Sequence, residues 1–172
     1  IGYEKFGFLA AKDYWFDNSF RRRFFKNLIN LIPISREKNP ESLDLEDTMT
    51  LSRAFMDLGN NIIIFPEGSR GEAGKMQRFR KGAAKFSMGL NVPILPAAIV
   101  GTEKAWPKGK KWMQSFPITV KILPIIHPKD SSNLTIADQN KLLSETTKVL
   151  EKKIIKAVED LEKNLVLSDS NN

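Results

Sequence analysis

Five short apolar runs alternate along the chain with four stretches whose apolar residues recur at helical spacing. Phe6 to Ala11 predicts a strand. Asp17-Asn18-Ser19 then offers a cap for a helix that carries Phe16, Phe20, Phe24 and Leu28 four residues apart and reaches Leu31. Leu31 to Ser35 is a second short strand closed by Arg36, and the polar stretch from Glu37 to Ser42, which contains Pro40, is a loop. Asp44 can cap a second helix that places Glu46 and Asp47 in its first turn, where carboxylates suit the helix dipole. Leu51, Phe55 and Leu58 would form its apolar face, and Gly59-Asn60 its stop.

The run Ile62-Ile63-Ile64-Phe65 has no polar alternation, as expected of a strand covered on both faces, which makes Asn61 to Phe65 the candidate central strand. Pro66-Glu67-Gly68-Ser69 turns the chain at its end, and Gly71 and Gly74 keep the following loop open. Phe79, Ala83, Phe86 and Leu90 mark a third helix, with Gly82 and Ala83 small enough for close packing. Val92 to Val100 is apolar but interrupted by Pro93 and Pro96, so it predicts a strand with irregular pairing or an edge. After a loop from Gly101 to Gln114, Ile118 to Ile126 returns to strand character. Leu143, Thr147, Leu150, Ile154, Ala157, Leu161 and Leu165 then define one long amphipathic helix. Strands alternating with helices predict a mixed α/β fold, a mainly central sheet flanked by helices on both faces.

The 172 residues correspond to about one domain, read here as 1–167, with 168–172 as a disordered polar tail. No apolar run approaches the roughly 18 to 20 residues of a membrane-spanning helix. The absence of cysteine excludes disulfides, a thiol nucleophile and thiolate metal sites, and the lone histidine, His127, excludes a multi-histidine metal cluster. Neither a cofactor nor a metal is expected. The formal net charge of +7 points to an anionic partner.

That charge is not evenly spread. Between Gly68 and Lys111 stand ten basic residues and two acidic ones, an excess of eight that is larger than the net charge of the whole chain. It follows the end of the candidate central strand, where open α/β sheets bind ligands, and a phosphate is the natural ligand. The same charges would also serve as an ordinary solvated face. Glu67, set among bases directly after the apolar run, could accept a hydrogen bond from a substrate hydroxyl; it could equally be a turn residue that balances Arg70.

Three segments then resemble one family. Phe65-Pro66-Glu67-Gly68-Ser69-Arg70, Phe79-Arg80-Lys81-Gly82-Ala83 and Val92-Pro93-Ile94-Leu95-Pro96 are similar, in order and spacing, to the third and fourth sequence blocks of the glycerol-phosphate acyltransferase superfamily, the lysophosphatidate acyltransferases in particular. Pro33-Ile34-Ser35-Arg36 resembles the second block, and the likeness covers Leu9 to Thr102. It implies transfer of a fatty acyl group from a thioester, on coenzyme A or acyl carrier protein, to a hydroxyl of lysophosphatidate or a related glycerol-phosphate lipid. Arg36, helped by Arg70, would bind the acceptor phosphate; Glu67, Gly68 and Ser69 would position the acceptor; Val92, Pro93 and Ile94 would line the acyl-donor side. A guanidinium suits phosphate and a carboxylate suits a glycerol hydroxyl. Gly71 stands where the family often has serine, a mild departure.

The larger departure concerns the first block, a histidine and an aspartate separated by four residues, in which the histidine is the general base. His127 does not fit: its aspartate, Asp130, is three positions on, and it follows the other blocks instead of preceding them. No catalytic residue is therefore expected within the chain. The resemblance places the missing block just ahead of Ile1, which leads to the expectation of a domain lacking its base and inactive alone.

Trp106 and Trp112, among Lys104, Lys108, Lys110 and Lys111, suit an anionic bilayer surface, as does the Phe-rich helix from Phe16, whose apolar stripe would equally serve as a core face. A membrane-peripheral protein at the cytoplasmic face is the expectation. Two other readings stay open: a basic module that binds nucleic acid through Lys, Arg and aromatic residues, and a non-catalytic binder of lipid phosphate.

Overall fold

The computed structural model describes residues 5–11, 30–34, 45–69, 72, 74–107, 110 and 112–169. Most of the predicted helix from Phe16, the loop from Glu37 to Ser42, and Arg36, Asp44, Arg70, Gly71, Lys108 and Lys111 lie outside the described residues. The chain resolves into two compact units, Ile1–Phe65 and Pro66–Asn172.

In the first unit, β1 (Phe6–Ala11) is paired in parallel with β2 (Asn30–Ile34) on one side and β3 (Asn61–Ile63) on the other. Phe8 stands opposite both Leu31 and Ile63. β2 begins at Asn30, so Asn30 and Leu31 are strand and not the end of the predicted helix. The middle strand of the described sheet is β1, not the Asn61–Phe65 run, which occupies one end of the order. Only Asn61–Ile63 pairs there, and Phe65 is 60% exposed. Pro66 has no N–H to donate and restricts the residue before it, which works against continuing the ladder to Phe65.

The helix between β2 and β3, α1 (Leu45–Asp57), supplies the connection that parallel pairing requires. Its buried face is not the predicted one. Thr48 and Ser52, one turn apart, are fully buried and Phe55 is half-buried on the same stripe, whereas Leu51 is 46% and Leu58 75% exposed. The reason is close approach: a Cβ on Gly7 of β1 would meet the Phe55 ring at 2.7 Å and Ile32 Cδ1 at 3.2 Å. A seam this tight takes small side chains, and Ser52 Oγ satisfies its own donor on the Thr48 carbonyl at 2.7 Å. The stop falls where predicted, with Gly59 N–H donating to the Met56 carbonyl and Asn60 Nδ2 to that of Phe55.

The second unit contains α2 (Gly82–Leu90), β4 (Ala97–Val100), α3 (Thr102–Ala105), β5 (Thr119–Ile122) and α4 (Ile136–Asp169). α2 buries Ala83, Ala84, Phe86 and Leu90, with Phe79 buried just ahead of it. β4 and β5 pair antiparallel. Of the Val92–Val100 run only the last four residues form strand, because Pro93 and Pro96 break the donor series; Ile94 makes an isolated bridge with Ile126, and Leu123 N–H reaches the Pro96 carbonyl at 2.9 Å. Within the predicted Gly101–Gln114 loop the short helix α3 has formed.

On α4, Leu143, Thr147, Leu150, Ile154 and Ala157 are buried as predicted, and Leu142 joins them. Leu161 is half-buried, Leu165 is 38% exposed, and the helix runs through Asp169, taking in the first two residues of the predicted tail. Among the described residues no helix is long and apolar enough to cross a membrane.

The α1 seam gives a direct test. Ser52→Leu should lower the unfolding free energy by about 1–3 kcal/mol through overpacking, while Leu51→Ser should change it by less than about 0.5 kcal/mol. Urea unfolding of the two variants would read this, and a larger loss from Leu51→Ser would restore the predicted apolar face.

Candidate functional site

The Pro66-Glu67-Gly68-Ser69 turn is fastened to the segment from Gln77 to Arg80 by four separate contacts. Arg80 N–H donates to the Pro66 carbonyl at 2.8 Å, and Gln77 N–H donates to Glu67 Oε2 at 2.8 Å. Ser69 Oγ lies 3.2 Å from Gln77 Oε1, to which its hydroxyl donates. Gly68, at φ +73°, lies against the Arg80 side chain: a Cβ there would stand 2.9 Å from both Cδ and Nε. Glycine is favoured by a backbone conformation that L side chains rarely adopt, and it lets the flexible Arg80 side chain lie close against the bend.

Glu67 is half-buried, and its carboxylate accepts a main-chain donor at one oxygen. Among the described residues its Oε1 takes no hydrogen bond, so that oxygen has acceptor capacity for a hydroxyl. The turn role is therefore real, and it orients the group instead of consuming it. Arg80 is exposed while its backbone is pinned, a combination that presents a guanidinium beside the carboxylate-bearing turn. Sequence reasoning quoted Arg80 within a motif without giving it a place in the site, and it missed Gln77 altogether.

The structure thus brings Glu67, Gly68 and Ser69 together on one support, while Arg36, Arg70 and Lys111 lie outside the described residues. On the predicted donor side, Val92 closes α2: its N–H reaches the Ser87 carbonyl at 3.0 Å, and Ser87 Oγ donates to the Val92 carbonyl at 2.6 Å. Pro93 is exposed, and Ile94 exchanges two hydrogen bonds of 2.9 Å with Ile126. Of the described basic residues between Gly68 and Lys111, Lys75 is paired with Glu72 at 2.9 Å, and Arg78, Arg80, Lys81, Lys85, Lys104 and Lys110 are all exposed.

The Trp and Lys loop is folded. Trp106 Nε1 donates to the Lys110 carbonyl at 2.9 Å, Gln114 N–H to the Ala105 carbonyl at 2.9 Å, and the Lys104 ammonium stands 5.0 Å from the centre of the Phe116 ring. Trp112 is 85% exposed. Ile99 stands opposite Val120 and Ala97 opposite Ile122 in the β4–β5 ladder, so Ile99, Val120 and Ile122 share one face, and all three are exposed.

His127 is exposed at the end of the Ile126 bridge. Asp130 is turned away to Ser132, accepting its N–H at 3.0 Å and its hydroxyl at 2.7 Å, and these bonds hold its carboxyl below the usual carboxylate range. Among the described residues no hydrogen bond links Asp130 to His127.

Comparison with known proteins bears on this arrangement. The chain is 35% identical over 91 residues to a 1-acyl-sn-glycerol-3-phosphate acyltransferase of Limnanthes douglasii, covering 53% of this chain and 32% of that protein. It is 28% identical over 112 residues to a protein of the same name from Pseudomonas aeruginosa, covering 64% of this chain and 42% of that one. The crystal structure of the 1-acyl-sn-glycerophosphate acyltransferase PlsC from Thermotoga maritima superposes with a TM-score of 0.63 at 22% identity, over 92% of this chain and 57% of that one. It shares the mixed α/β fold of parallel sheet and helices. The chain spans about a third of the length of the first of these relatives. A family model described as Acyltransferase matches residues 4–100, more than half of the chain and including the whole of the Glu67 turn with its support, and the protein therefore belongs to the acyltransferase family.

Proposed function

We propose that this protein takes part in acylating a hydroxyl of lysophosphatidate, or of a related glycerol-phosphate lipid, with an acyl thioester carried on coenzyme A or acyl carrier protein. The observation that carries this reading is the Glu67 carboxylate, fixed by the Gln77 N–H at 2.8 Å with its second oxygen unbonded among the described residues. In this mechanism Glu67 Oε1 accepts from a glycerol hydroxyl and holds the acceptor, and Arg36, Arg70 and Arg80 supply cations for its phosphate. The hydroxyl oxygen attacks the thioester carbonyl carbon while its proton passes to a general base; collapse of the adduct breaks the C–S bond, and the protonated base returns that proton to the departing thiolate, so that an ester and a thiol leave. His127, the only histidine of residues 1–172, does not fit the His-x4-Asp pattern that the family resemblance implies for that base. Val92, Pro93 and Ile94 border the acyl chain.

Contact with an anionic membrane surface belongs to the same reading, since both the acceptor and the product carry acyl chains. Trp112 and Met113, 85% and 73% exposed, stand beside Lys110, and the apolar β4–β5 face is exposed in the same unit. Trp106, 45% exposed, belongs to the same surface, with its indole N–H donated to the Lys110 carbonyl within the loop. Nucleic-acid binding would leave the Glu67 turn without a role, since a carboxylate with acceptor capacity repels a phosphate backbone.

Three outcomes test the proposal. In a chain that carries a His-x4-Asp block fused ahead of residue 1, acyl transfer to lysophosphatidate should appear, and Glu67→Gln should lower kcat/KM about 10- to 100-fold, as for loss of a charge-assisted hydrogen bond; an unchanged rate would remove Glu67 from acceptor positioning. Gly68→Ala should be at least as damaging, because the methyl displaces Arg80. Trp112→Ala should weaken partitioning onto phosphatidylglycerol-containing vesicles by about tenfold, with a smaller effect from replacing Met113; equal binding by variant and wild type would take this loop off the membrane.

A further inference from the structure

One contact fastens the candidate site to a distant part of the chain. Phe79 N–H donates to Glu151 Oε1 at 2.8 Å across 72 residues of sequence. Glu151 is half-buried on α4 beside Leu150, which is buried in the core with Ile154.

Its partner segment explains why this matters. Residues 75–80 belong to no helix or strand, so their N–H groups have no ladder to donate to and need individual acceptors. Three are supplied in close succession: Glu67 Oε2 for Gln77, Glu151 Oε1 for Phe79, and the Pro66 carbonyl for Arg80. The outer two hold the Glu67 turn. The middle one, together with the buried Phe79 ring, ties the segment to a 34-residue helix. An ionised acceptor makes a bond roughly twice as strong as a neutral one, which suits a single strut under an irregular segment.

We propose that Glu151 is a positioning residue for the acceptor site: by fixing Phe79 it sets where Gln77 and Arg80 lie, and through them the Glu67 carboxylate and the Arg80 guanidinium. This rests on the reading of the Glu67 turn as the acceptor site. Glu151 itself touches neither acceptor nor donor.

Amide resonances of the 15N-labelled chain and calorimetric binding of short-chain lysophosphatidate would be measured for wild type, Glu151→Ala, Glu151→Gln and, as a control for lost core packing, Leu150→Ala. Glu151→Ala should shift the Gln77, Gly68 and Arg80 amides and weaken lysophosphatidate binding about tenfold. Glu151→Gln, which keeps a carbonyl acceptor, should recover binding to within about threefold of wild type. Leu150→Ala should lower the melting temperature while leaving those three amides in place. Unmoved amides in Glu151→Ala, a Gln variant as impaired as the Ala variant, or Leu150→Ala reproducing the same shifts would each overturn the inference. A wild-type chain that binds no lysophosphatidate would instead overturn the acceptor reading, and the amide shifts would still decide whether Glu151 is the strut.

Discussion

Among the described residues, main-chain donors and not cations hold the Glu67 turn. A carboxylate on a turn is normally placed by whatever ion approaches it; here the Gln77 N–H fixes one oxygen and the Arg80 N–H fixes the carbonyl of the preceding proline. Gly68 makes this possible, because only a residue without Cβ lets the Arg80 side chain lie against the bend. The direction of the carboxylate is thus set by the fold. Preorganisation of this kind lowers the ordering cost of any ligand that the turn would hold.

The same economy of space recurs in the first unit. Gly7 admits the Phe55 ring, and the helix seam beside it is lined by Thr48 and Ser52 instead of leucine. Prolines act in the complementary sense, by ending ladders. Pro66 separates the β3 segment from the turn, and Pro93 and Pro96 shorten the β4 ladder to four residues. Short strands and close helix contacts leave loops, not sheet centres, to carry the functional groups.

Much of this was legible in the residues. β1 and the α4 stripe follow from apolar runs and spacing that no other element type could satisfy. The Phe-Pro-Glu-Gly-Ser-Arg motif marked the turn, because a carboxylate and a glycine directly after an apolar run have few other uses. The face of α1 was not legible, since hydrophobicity favours Leu51 and Leu58 while the seam selects for size, a quantity set by Gly7 on a different element. Gln77 and Glu151 left no trace either. Each bonds to a group that every residue or many residues possess, a backbone amide or a carboxylate, so no pairing could be read from residue type; at most, a glutamate next to the buried stripe of α4 hints at a partner.

The match to the acyltransferase family ends at residue 100, yet β4 finds its ladder partner at Thr119–Ile122 and the Gln77–Arg80 segment finds its strut at Glu151. The end of the family-model match and the border of the folded body are therefore different lines. A gene trimmed at the first would encode the Glu67 turn on an unsupported scaffold, and its failure to bind a ligand would say nothing about what that turn can hold.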